Sequence, residues 1–172
     1  MAQRKIYLTP PLPTGLHIKW SGNFSMETSY IRMKYWLDFN GFGAEENFEE
    51  QEYMETIKGD SKQIQIRWHA EKPVSDYFSY VIDIQFFIPS LKQVEVQKDG
   101  KTVKMNSGTF EIRMHAYLLL DAQNRWENKT IQNIYEKFIV KSRIDMHKAE
   151  VYDKIYSLRD EITRFLELEG FK

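Results

Sequence analysis

Two short runs carry the residue types best suited to chemistry. Residues 62–72 read Lys-Gln-Ile-Gln-Ile-Arg-Trp-His-Ala-Glu-Lys, and Ile112-Arg113-Met114-His115-Ala116 repeats the Ile-Arg-x-His-Ala of 66–70. Arg67, His69, Arg113 and His115 thus stand at equivalent places in two echoed segments. His69-Ala70-Glu71 contains the His-x-Glu fragment of zinc deaminases, but the Pro-Cys-x-x-Cys partner of that site cannot exist in a chain with no cysteine. On a strand His69 and Glu71 share a face, which suits an ion pair at least as well as a metal, and no metal is expected. Gly41-Phe42-Gly43 follows a predicted helix, whereas a dinucleotide fingerprint follows a strand and opens a helix. There is no Walker loop, Gly-x-Ser-x-Gly elbow or His-Glu-x-x-His helix, so no cofactor is expected either. An enzyme would need a convergent polar cluster inside the fold, with Arg67, His69, Asp83, Arg113 and His115 as its members.

The elements that must position these residues can be read from periodicity. Ile64, Ile66, Trp68 and Ala70 alternate with Gln65, Arg67, His69 and Glu71, the period of a strand with one buried face. Further strands are predicted at 16–20, 51–58, 77–88, 94–96 and 110–120. Gly59-Asp60 and Asp99-Gly100 mark tight hairpins, and Asn106-Ser107-Gly108 marks another reversal. Successive short connections imply an antiparallel meander of about six or seven strands. In a meander the two echoed strands stand several strands apart, so a joint His69–His115 site needs barrel-like closure.

Ser25 or Thr28 is placed to cap a helix ending near Phe39, where Asn40-Gly41 stops it. Tyr30, Met33 and Leu37 share one side of that helix with Ile31, Tyr35 and Trp36 beside them, a width that predicts deep burial. Beyond Leu120 the spacing becomes helical. Ile131, Ile134, Tyr135, Phe138 and Ile139 form one stripe, and Val151, Ile155, Leu158, Ile162 and Phe165 form another. The expectation is two C-terminal helices broken near 141–147, or one long bent helix. Pro10, Pro11 and Pro13 make 1–14 an extended arm ahead of a single α+β domain at 15–172.

With 172 residues the chain is long enough to bury a core without disulfides. A net charge of −1 provides no general field for nucleic acid. Lys19, Arg32, Lys34, Arg67 and Arg113 are offset by Glu71, Asp83 and Glu111 on similar faces, which predicts ion pairs and no nucleic-acid partner. Glu45, Glu46, Glu49, Glu50, Glu52 and Glu55 are expected to be solvated charge. No apolar run approaches the ~20 residues of a membrane helix and 1–15 lacks the apolar core of a signal peptide. Together with the absence of cysteine this predicts a soluble, cytoplasmic protein with no membrane partner. Aromatic residues make up 15% of the chain, which favours a packed domain or a binding surface over disorder.

The order strand, helix, several antiparallel strands, C-terminal helix is similar to the helix-grip fold of START-like and Bet v 1-like proteins, in which a curved sheet wraps a long terminal helix around an apolar cavity. That resemblance implies a carrier holding an apolar small molecule between Trp68, Phe86, Met114 and the terminal helix. The principal expectation is different: a non-catalytic interaction or assembly subunit that contacts other protein chains, or copies of itself, through its C-terminal helices, proline arm and aromatic surface.

Overall fold

The computed structural model of the chain describes residues 3–169, so Met1 and Ala2 of the arm lie outside the described residues. The elements run β1 (Arg4–Tyr7), β2 (Leu16–Phe24), α1 (Met26–Phe39), β3 (Phe48–Lys58), β4 (Ser61–Pro73), β5 (Phe78–Lys98), β6 (Lys101–Leu120), α2 (Lys129–Phe138) and α3 (Lys141–Glu169). The strands form one six-stranded antiparallel sheet in the order β1-β6-β5-β4-β3, with β2 also paired to β6. The fold is therefore α+β, as the alternation and helical spacing predict. The proline arm supplies β1, which lies against the C-terminal end of β6.

The predicted hairpins form at Gly59 and at Asp99-Gly100, all three residues adopting positive φ. The predicted reversal at 106–108 does not form. Instead β5 and β6 are single long strands, and Gly108 serves another purpose: a Cβ there would stand 2.3 Å from the Ser90 carbonyl oxygen. The register of β5 against β6 shifts between Phe87 and Leu91, so Pro89 and Ser90 sit at an irregularity where a missing backbone donor is tolerated. Gly108 lets the neighbouring strand approach that irregularity closely.

One face of the sheet is apolar and carries the helices. Ile64, Ile66, Trp68 and Ala70 of β4 meet Tyr80, Ile82, Ile84 and Phe86 of β5 and Ile112, Met114 and Ala116 of β6 in one buried core. Val151, Ile155, Leu158, Ile162 and Phe165 of α3 close it from the helix side. The second predicted stripe is thus spent within the domain. The helix break falls at Ile139 and Val140, just ahead of the predicted 141–147, where both backbone N–H groups donate to the Tyr135 carbonyl. Val140 is fully packed there, and its burial turns the chain into α3.

Ser25 caps α1, its hydroxyl accepting from the Thr28 N–H. Only one side of α1 is buried, through Ser29, Met33 and Leu37. The deep burial predicted for its whole apolar surface is corrected: Ile31, Tyr35 and Phe39 point outward.

Candidate functional site

The polar parity of β4, β5 and β6 forms the opposite face of the sheet. His69 lies opposite Asp83 in register, and Asp83 lies opposite His115. The two echoed strands are separated by β5 alone, so the expectation that several strands divide them is corrected. That expectation counted β5 and β6 as shorter pieces. The histidines share one cross-strand row without closure of the sheet, and the row lies on the outer face, not inside the fold.

The two ends of the row differ. The His69 Nδ1–H donates to Asp83 Oδ1 at 2.6 Å, and this bond is the main reason its pKa is raised above 6.5, against the opposing effect of burial. His115 is covered by the arm. Thr9 Oγ1 accepts from the Ala116 N–H at 2.8 Å and stands 3.0 Å from His115 Nδ1, while the Leu8 N–H donates to the Ala116 carbonyl. Burial pushes the His115 pKa below 6.5. With Nδ1 unprotonated, the neutral ring accepts a hydrogen bond from the Thr9 hydroxyl.

Lys5, Leu12, Pro13, Gln51, Arg67, His69, Asp83, Gln85 and Tyr117 line a groove of about 540 Å3 beside the arm. Arg67 is 3.5 Å from Glu52. Arg113 donates to the Pro13 carbonyl at 3.1 Å and lies 3.4 Å from Glu111, which also approaches Lys19. Arg67 and Lys19 thus approach carboxylates across strands, while Arg113 approaches Glu111 within β6. Glu50 departs from the solvated reading of the acidic segment. Its Oε2 accepts from the indole N–H of Trp68 and from the Tyr30 hydroxyl, each at 2.8 Å. It thereby satisfies the one polar atom of a fully buried indole, and Tyr30 is pushed up to about 12 by burial and by this carboxylate.

Trp68, Phe86 and Met114 have no accessible surface. The Trp68 ring meets Tyr30, Phe48 and Phe86 edge-on at 4.7–5.4 Å between centroids. Protein rings thus occupy the volume that the helix-grip resemblance assigns to an apolar ligand. A further polar cluster joins α3 to β5, where the Tyr80 hydroxyl lies 2.7 Å from both His147 Nδ1 and Glu150 Oε2.

The unusual surface is on α2. Asn128 caps it, accepting from the Thr130 and Ile131 N–H groups, and its apolar stripe is on the outside. Ile131 and Ile134 are each 54% exposed and Phe138 is 73% exposed, while Glu136 on the inner side is only 4% exposed. Glu136 accepts from the Tyr77 hydroxyl at 2.7 Å and from the Arg4 guanidinium. Tyr135 packs between Tyr77 and Trp126. The helix is held by a carboxylate and a phenol ring, and its aliphatic residues face out. Apolar spacing revealed the stripe; the buried Glu136 had no local signal, because its partners lie far away in the chain. On α1, Ile31, Tyr35, Trp36 and Phe39 line a second outward groove of about 410 Å3.

Among the described residues no group of His, Cys, Asp or Glu is placed to hold a metal ion, and no helix is long and apolar enough to cross a membrane. Compared with protein-family models, with curated proteins and with solved structures, the chain matches none.

Proposed function

We propose that the chain is a non-catalytic protein-binding subunit that docks through the outward face of α2, onto an apolar helix face of another chain or of a second copy. The observation that carries this reading is the orientation of α2: Ile131, Ile134 and Phe138 outside, Glu136 inside. Leaving three large apolar side chains half or more exposed on one helical stripe forfeits a corresponding part of the roughly 1.5–3 kcal/mol that full burial of each is worth. Such i, i+3, i+7 stripes are the anchors of helix-in-groove recognition. The outward Ile31, Tyr35 and Phe39 on α1 add a second apolar surface of the same kind.

Photo-crosslinking from position 131 tests it, with position 104 on the exposed β5–β6 hairpin as the control. The expected result is one discrete protein adduct from position 131, its mass identifying a second copy or a different chain, and its loss in an Ile134→Ser/Phe138→Ser background. An adduct pattern equal to that of the control position, or one unaffected by the double substitution, overturns the proposal.

A further inference from the structure

The groove on the outer face of the sheet has the volume of a small-ligand site, about 540 Å3. We propose that it binds a small molecule through an oxyanion group, a phosphate or a carboxylate, held by Lys5, Arg67 and His69. These three side chains reach the groove from β1 and β4, and the carboxylate in its lining, Asp83, already accepts from His69 Nδ1–H at 2.6 Å. That bond fixes the imidazole with Nε2 free for a ligand, and on the protonated ring Nε2–H is a donor. Arg67 has its fork only loosely engaged, since Glu52 stands at 3.5 Å, beyond a good hydrogen bond. Lys5 Nζ rests 3.4 Å from the Tyr117 hydroxyl and 4.7 Å above its ring, and Lys5 itself is exposed, so its ammonium is free to swing toward an anion. Gln51 and Gln85 offer amides, and Leu12 and Pro13 of the arm form an apolar lip. The lining sets Lys5, Arg67 and His69 against one carboxylate, Asp83, which is already engaged by His69.

The charged and titratable groups facing His69 are Asp83 on β5, Glu49 on β3, Glu71 and Arg67 on β4, Lys5 on β1 and His115 on β6. The carboxylates Asp83, Glu71 and Glu49 favour the protonated ring, the form that donates at Nε2. Oxyanion affinity therefore falls as pH rises through the His69 titration.

The test is an NMR titration of the full chain with inorganic phosphate, with succinate and, at matched ionic strength, with sodium chloride. Saturable shifts centred on the His69, Arg67 and Tyr117 side chains are expected with an oxyanion and not with chloride. Saturation by phosphate alone assigns a phosphate ligand, and saturation by succinate alone assigns a carboxylate. Lys5→Gln/Arg67→Gln weakens binding by about tenfold or more with the amide spectrum otherwise retained. His69→Gln, a second variant, removes the pH dependence. Shifts that are linear and equal to those with chloride, saturable shifts centred elsewhere, or unchanged affinity in the double variant overturn the proposal.

Discussion

The two C-terminal helices carry apolar stripes of similar spacing, and the fold disposes of them in opposite ways. In α3, Val151, Ile155, Leu158 and Ile162 face the sheet and are buried. In α2, Ile131, Ile134 and Phe138 face outward, and the inner side is secured by Glu136 and Tyr135. An amphipathic stripe therefore records that a face is to be covered without recording by what. For α3 the cover is the chain's own sheet. For α2 the domain supplies none among the described residues, which directs attention to another chain.

Substitutions along the two stripes separate these roles. Leu158→Ala should cost about 2–5 kcal/mol of unfolding free energy, read from urea denaturation; a loss below about 1 kcal/mol would mean that α3 is not the internal cover. Glu136→Ala should cost about 1–3 kcal/mol, because the half-buried Tyr77 hydroxyl and Arg4 lose the charged carboxylate they share, and the near-ultraviolet signal of Tyr77 and Trp126 should change with it. Ile134→Ser should change stability by no more than about 0.5 kcal/mol in thermal melts of the isolated protein. A large loss at Ile134 would erase the contrast between the helices.

A smaller contrast of the same kind divides the row on the sheet. Asp83 raises the His69 pKa, so this pair stabilises the fold below about 6.5 and its contribution is lost as pH rises through the folded value. Burial lowers the His115 pKa, so the stability of its neutral ring is present above about 6.5 and is lost as pH falls through the depressed value. Imidazole NMR titration should place His69 above 6.5 and His115 below it. Asp83→Asn should bring His69 down and leave His115 on its own side. Titration of both rings together would show that the arm does not cover one end of the row.

What could be read in the sequence was what local geometry controls. The alternation of Ile64, Ile66 and Trp68 located a buried face, the choice of Ser25 or Thr28 located a helix start to within a turn, and Asp99-Gly100 located a hairpin, since each acts within a few residues. Gly108 misled because a glycine admitting a close backbone looks, in sequence, like a glycine making a turn; reading it as a reversal shortened β6 and moved His115 away from His69. Thr9 and Glu136 gave no warning, since Thr9 acts on a ring 106 residues away and Glu136 on a phenol 59 residues away. Sequence spacing found the stripe on α2 but could not orient it, because the orientation depends on those distant partners.

Hydroxyl-radical footprinting of the two stripes, in dilute purified protein and in the native extract, tests the protein-binding role most directly. Leu158 should be protected in both, whereas Ile134 and Phe138 should be oxidised readily in the purified protein and protected in the extract. Equal oxidation of Ile134 and Phe138 in the two preparations would contradict a partner on α2.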